Sequence, residues 1–324
     1  MVLATTHRWR SLTITYNDSG CQFLIERLGR TVFPLLTHLS ISRCGNDRPK
    51  FLYPECVPAI KHLETCITAF TPPFPSALEE LAIGSPDLPM LRTSCSLQIP
   101  SLQGLKALSF RGHTGEWRIR RGSIYLPLLT RLSFDVSHAE ELLRVFSVPS
   151  LTHVNYLQRR YETMLAAFNG IPSKLENVHK LRLKLPSRES YPTREDYHAG
   201  LIALCLAAPE VRGMEVMAYN LDELLDCQQG VYPIDHWVHL EKFTVIGDVY
   251  QLNEMGRYIA PWLKQRRNMG KPALKLSFTL VRGDKAELET IILDDIGQYC
   301  GRVDLRMEET FRTFLAFKVI DIDF

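Results

Sequence analysis

Over residues 34–44, Pro-Leu-Leu-Thr-His-Leu-Ser-Ile-Ser-Arg-Cys, apolar side chains fall at positions 1, 4 and 6 of a nine-residue frame. They are Leu36, Leu39 and Ile41, and the frame closes on Cys44 at position 9. No other feature of the chain constrains its folding so tightly. Positions 4 and 6 alternate as they would on a short strand, so Leu39 and Ile41 enter a core while His38, Ser40 and Ser42 point to the other face. One such segment fits any half-buried strand, and the argument rests on recurrence.

The frame recurs. Trp9, Leu12 and Ile14 take positions 1, 4 and 6 at the start of the chain, with Asn17 at the ninth. Leu78, Leu81 and Ile83 follow Pro75; Leu105, Leu108 and Phe110 follow Pro100; Leu129, Leu132 and Phe134 follow Pro127. Leu151, Val154 and Tyr156 follow Pro149, and Val178, Leu181 and Leu183 follow Pro172. A proline just ahead of a strand ends the preceding segment without removing a ladder hydrogen bond. One repeat is ambiguous, because either Ile60, Leu63 and Thr65 or Leu63, Cys66 and Thr68 fills the frame. Fourth positions fall at 12, 39, 63, 81, 108, 132, 154 and 181, in steps of 18 to 27, then at Met214, Phe243, Leu276 and Leu305, in steps of 29 to 33.

The spacing L-x-x-L-x-L-x-x-N/C is that of a leucine-rich repeat. It predicts an α/β solenoid, a horseshoe with a curved parallel sheet of about twelve strands and irregular convex helices. Residues 1–324 are read as one domain, with short irregular repeats to about 190 and longer, helix-containing repeats after it. Helices are expected over 18–28, 193–208, 222–228, 249–269 (broken or kinked at Pro261) and 284–300, and one more strand over 319–324. A doubly wound sheet or an eight-stranded barrel is the competing architecture. Buried parallel strands of that kind read as continuous apolar runs, whereas these alternate. Energetics agrees: a repeat contributes three or four inward side chains at about 2 kcal/mol each. Ordering its two dozen or so residues costs several times that, so no repeat stands without its neighbours.

A formal charge of +2 forces neither a nucleic-acid nor a membrane reading. Cys21, Cys44, Cys56, Cys66, Cys95, Cys205, Cys227 and Cys300 form no C-x-x-C pair, which argues against a zinc ribbon and suits reduced thiols. No run of about 18 apolar residues occurs, nor a signal-peptide core at the N-terminus. A cytoplasmic or nuclear location is expected.

The sequence carries no recognisable catalytic motif. No G-x-S-x-G, P-loop or GxGxxG pattern occurs, and a Cys–His dyad is a spatial claim that spacing cannot make. Asp235-His236-Trp237-Val238-His239 is the most metal-like cluster, but Pro233 before it and a strand after it predict extended backbone that parts the two histidines. Asp284, Glu287, Glu289, Asp294 and Asp295 read as a solvated helix face. The runs 118–121 and 264–267 are arginine-rich and receive no role. Expected catalytic, cofactor-binding and metal residues are none, and the chain is read as not an enzyme.

Positions 3, 5 and 7 of each frame face away from the core. In the N-terminal half they are mostly small, polar or histidine: Ser11, Thr13, His38, Ser40, His62 and Glu64. Further on come Arg131, then Lys180, Arg182 and Lys184 on one strand, then Lys242, Lys275 and Arg306. A basic stripe is therefore expected on the concave face, and Arg131, Lys180, Arg182, Lys184, Lys242 and Lys275 are its candidate partner-binding residues. Cations on strands about 4.8 Å apart repel unless an acidic surface neutralises them, which points to an acidic protein partner.

His7-Arg8-Trp9-Arg10-Ser11-Leu12-Thr13-Ile14 resembles the segment that opens the repeat region of fungal F-box/leucine-rich-repeat-like proteins. The Pro-x-Leu-x-x-Leu segments within 33–41, 126–134 and 148–156 look like the same family. The resemblance implies a repeat region that holds a ubiquitylation substrate, beside an F-box that binds a Skp1-type adaptor. No Leu-Pro-x-Glu F-box helix precedes Trp9, so the chain alone is expected not to bind that adaptor unless an F-box is supplied outside it. The expected function is a protein-binding scaffold. The alternative is a binder of nucleic acid or a phosphate-bearing ligand through the basic stripe.

Overall fold

The computed structural model describes residues 2–15, 28, 31–42, 55–66, 74–85, 99–113, 122–137, 139–158, 168, 175–185, 193–227, 232–281 and 296–307. The chain forms two compact units that part between Ser150 and Leu151.

The first unit opens with a 3-10 turn, Val2–Arg8, and carries six long strands: β1 (Ser11–Thr15), β2 (His38–Ser42), β3 (His62–Cys66), β4 (Glu80–Ser85), β5 (Ala107–His113) and β7 (Arg131–Ser137). They lie side by side in that order, each parallel to the next. Two short strands, β6 (Ile124–Tyr125) and β8 (Phe146–Ser147), pair separately, and helix α1 (Ala139–Val145) leads into β8. The second unit repeats the arrangement with β9 (His153–Gln158), β10 (Lys180–Lys184), β11 (Gly213–Met217), β12 (Lys242–Gly247), β13 (Lys275–Leu280) and β14 (Arg302–Met307). Its strands are likewise parallel and in chain order.

Parallel order without crossovers follows from the frame. Residues at positions 1, 4 and 6 are buried in every repeat from Trp9/Leu12/Ile14 through Leu240/Phe243/Val245. Position 1 closes a tight turn: the amides of Leu36, Ile60, Leu78, Leu105, Leu129, Val178 and Leu240 each donate to the carbonyl three residues earlier. Inward aromatics stack strand on strand, Phe110 on Phe134 at 6.4 Å between centroids and 9° between planes.

Three expectations are refined. The ambiguous repeat resolves to Ile60, Leu63 and Thr65, all buried, with the threonine taking an inward place usually held by an apolar residue. The final repeat is shifted by two residues: Val303 lies beside Leu276, and Leu305 lies beside Phe278 at position 6. Leu305 is only half-buried because β14 ends the strand order of its unit. The helix α4 (Val249–Asn268) runs through Pro261 without a break. Pro261 lies on its exposed side, and so does Arg257, whose carbonyl loses a helical donor there and can turn to water.

Helices connect several strands of the second unit. Helix α2 (Arg194–Ala207) starts where Thr193 accepts from the Asp196 amide at 3.0 Å, and α4 starts in a reciprocal capping box between Asp248 and Gln251. The expected helix over 222–228 is a single turn, α3 (Leu221–Leu224). The described end of the predicted 284–300 helix is a 3-10 turn, Gly297–Tyr299; the remainder, like Asn17, Cys44 and the expected elements over 18–27 and 319–324, lies outside the described residues. Polar side chains tie the helices to the sheet. Trp262 of α4 packs edge-on against Phe243 of β12, Trp237 donates to the Ala208 carbonyl at 3.0 Å, and the fully buried Asn220 amide bonds both the N–H and the C=O of Leu185 at 3.0 Å.

Asn220→Ala would strand both Leu185 groups in the interior. It should cost about 2–4 kcal/mol in denaturant unfolding, whereas Ala substitution of the exposed Tyr250 should change stability by less than about 0.5 kcal/mol.

Candidate functional site

One contact repeats along both units. The backbone carbonyl at position 2 of a frame accepts the amides at positions 2 and 3 of the next. Arg10 accepts from Thr37 and His38, Thr37 from Lys61 and His62, Thr152 from His179 and Lys180, and Arg212 from Glu241 and Lys242, over 2.7–3.1 Å across the series. The two-amide clamp is made at the starts of β2, β3, β4, β5, β7, β10, β11 and β12 and holds them level with their neighbours, so position 3 forms a row on the open face. Ladder register carries the position-3 row on through β13, where Lys275 alone donates to Glu241, and β14. In the second unit that row is His153, Lys180, Gly213, Lys242, Lys275 and Arg302. Positions 5 and 7 of β10 add Arg182 and Lys184, and position 7 of β14 adds Arg306.

On this face of β10 to β14 seven cations (Lys180, Arg182, Lys184, Lys242, Lys275, Arg302, Arg306) meet two carboxylates, Glu215 and Asp304. Asp304 bonds Lys275 at 3.0 Å and Arg302 at 2.7 Å, and these two cations hold its carboxyl below the usual range, Lys275 most strongly. Arg182 stands 3.9 Å from Glu215. Lys180, Lys184 and Lys242 have no carboxylate partner among the described residues, and Gly213 leaves a gap without a side chain between Lys180 and Lys242. The face is not uniformly open: Thr244, Ile246 and Ser277 are buried. Thr244 and Ser277 are short side chains set in register between Glu215 and Asp304.

Arg131, the remaining candidate, belongs to the first unit, where it is already paired. Its guanidinium meets Glu80, which also takes His62 Nδ1 at 3.1 Å. His62 stacks on His38 with centroids 4.1 Å apart and planes 7° apart. Nearby, Glu64 accepts from Ser40 and from Arg111, each at 3.1 Å. At position 2 of the same unit Glu79 bridges Lys106 at 2.7 Å and Lys61 at 3.1 Å, and these two hydrogen bonds, Lys106 first, bring its carboxyl down to about 2. In the first unit Lys61, Lys106, Arg111 and Arg131 are thus each paired with a carboxylate, whereas in the second Lys180, Lys184 and Lys242 have no such partner among the described residues.

Frame positions in the sequence locate six of the seven cations on this face (Lys180, Arg182, Lys184, Lys242, Lys275 and Arg306) and miss Arg302. The miss follows from the misplaced final frame; the alternation in Arg-Val-Asp-Leu-Arg, with Val303 inward, is the signal that locates it. His236 and His239 do not sit on extended backbone. Pro233–His236 is a 3-10 turn with proline at its first position, and His239 lies 3.8 Å from Glu210. Among the described residues no group of three or more His, Cys, Asp or Glu side chains is placed to hold a metal ion. None of the described helices is long and apolar enough to cross a membrane. No protein-family model matches the sequence, and no curated protein matches it significantly.

Desolvation, and then the neighbouring His62, push the His38 pKa below its ordinary 6.5. Above pH 6.5 the ring is neutral in both folded and unfolded chains, and its contribution does not vary. Below pH 6.5 the unfolded chain protonates first, so the native state loses stability until pH passes the lower native value. His38→Gln should therefore lose less stability than the wild type between pH 7.5 and pH 5, read as the shift in urea midpoint; parallel shifts would remove His38 from the acid response.

Proposed function

We propose that this chain is a non-enzymatic protein-binding scaffold, a leucine-rich-repeat array whose open sheet face takes an acidic protein surface. The observation that carries the reading is the level row of Lys180, Lys242, Lys275 and Arg302, with Lys184 beside it. The array reading is supported by the same turn, the same backbone clamp and the same inward positions in successive repeats. An in-register row of cations is costly in the free protein and becomes favourable when an acidic surface covers it. Lys180, Lys184 and Lys242 are the anchors, because Arg182, Lys275 and Arg302 already have carboxylates within 4 Å. Arg131 is left out of the proposed surface because Glu80 occupies it.

The resemblance to the repeat region of fungal F-box/leucine-rich-repeat-like proteins supports reading the scaffold as a substrate-recognition region for a ubiquitin ligase. A Skp1-type adaptor would join it only through an F-box supplied in addition. Nucleic acid or a phosphate-bearing ligand is the second reading, favoured by the same row, and salt separates the two. A nucleic acid held through about six phosphates loses on the order of a thousandfold in affinity between 50 and 200 mM salt, while a protein interface with an apolar centre loses much less.

The test is to isolate the partner by affinity purification and then measure association of the purified pair by stopped flow. The double variant Lys180→Ser/Lys242→Ser should associate about tenfold more slowly at about 20 mM salt, with thermal stability no lower than that of the wild type. Lys275→Ser should have a smaller effect. Equal rates for the double variant and the wild type would leave the row as a solvated face.

A further inference from the structure

The arginine-rich run 264–267, which the basic row does not include, closes helix α4 over a pocket in the second unit. The pocket is about 280 Å³ and lies between the end of α4, the turn 271–274 and residues 298–300. Arg266, Arg267 and Lys271 line it, and none of its described lining residues is a carboxylate. Leu263, Pro272 and Leu274 supply apolar wall.

Arg266 is the group that most needs explaining. It is 2% exposed. Its Nη2 donates to the Leu240 carbonyl at 3.0 Å and its Nε to the Pro272 carbonyl at 3.4 Å, which would suffice for a side chain that merely ties off a helix end. Its Nη1 is buried and has no hydrogen-bond partner among the described residues. A buried donor left unmade costs about 1–3 kcal/mol, and more when it is charged. The neighbouring cations are only partly balanced. Lys271 bonds Asp235 Oδ1 at 3.1 Å, and that carboxylate also accepts from Trp262 at 3.2 Å. Arg267 bonds only a carbonyl, that of Gln298, at 3.2 Å. Among the described residues, three cations (Arg266, Arg267, Lys271) set against Asp235 leave a charge of about +2 at the pocket.

We infer that this pocket is a binding site for a small dianion of the phosphate-monoester class. Two guanidinium groups from adjacent helix positions suit phosphate oxygens, which accept forked N–H donors well. Two negative charges match the excess. The volume, at the lower end for ligand pockets, holds a phosphate group with a small substituent against the apolar wall and has no room for a polymer. The site differs from the open-face row in residues and in ligand.

Equilibrium dialysis with inorganic phosphate, and separately with glycerol 3-phosphate, tests this at constant ionic strength against a chloride background. The expected result is saturable binding of one anion per chain. Arg267→Gln, an exposed position whose change should leave thermal unfolding in place, should weaken binding at least about tenfold, as loss of a charged hydrogen bond does. Arg266→Met should abolish it. Lys180→Ser/Lys242→Ser should leave it unchanged, which separates this site from the row. Tighter binding of the ester than of phosphate identifies a small organic phosphate as the natural ligand; equal affinity identifies free phosphate. Non-saturable binding, or an Arg267→Gln affinity equal to the wild type, overturns the site, and so does binding lost only in the lysine variant.

Discussion

The hydrogen bonds between successive lead-ins govern the rest of the structure. One carbonyl at position 2 accepts two successive amides of the next repeat, and the pairing recurs from Arg10 to Lys106 in the first unit and from Thr152 to Arg212 in the second. A one-residue slip in a strand would turn every side chain to the wrong face, and the clamp opposes slipping at the strand starts that carry it. Levelling the strands puts positions 4 and 6 of neighbouring strands into one core layer within each unit. It also leaves no freedom on the other face: whatever occupies position 3 must stand beside its counterparts about 4.8 Å away on either side.

The two units answer that constraint differently. In the first, position 3 runs through His38, His62, Glu80 and Arg131, a sequence of types that stack and pair in place. Most of the charge is used up internally. In the second, Lys180, Lys242, Lys275 and Arg302 are alike in sign, and only the last two share a carboxylate, Asp304. Exposed ion pairs contribute little to stability in either unit. What distinguishes the second unit is the positive field left over, and that field is the basis for assigning it the partner surface.

Much of the fold could be read from the residues because strand alternation and the recurring frame report the same thing. Leu39, Leu81, Leu108, Leu132, Val154, Leu181, Met214, Phe243 and Leu276 are all buried, as their positions require. Where the pattern was thin the reading slipped. The frame read from the sequence puts Leu305 at position 4, whereas the register gives that place to Val303, and Arg302 falls outside the face with it. Pairing was illegible for a different reason: Glu80 and Arg131 are 51 residues apart and meet only through the parallel sheet. The pocket beneath Arg266 was equally hidden, since a buried guanidinium among surface-type residues has no signature in one dimension.

The central claim is that the backbone clamp forces unneutralised cations into one row, and the salt dependence of stability tests it most directly. Urea unfolding would be followed from about 10 mM to about 300 mM sodium chloride, a range over which the screening length falls from about 30 Å to below 8 Å. If Lys180 and Lys242 repel one another and the rest of the row, the wild type gains stability as salt rises. Lys242→Ser then starts more stable at low salt and shows a smaller gain. Stability that is flat in salt, or a Lys242→Ser variant with an unchanged slope, would contradict the account.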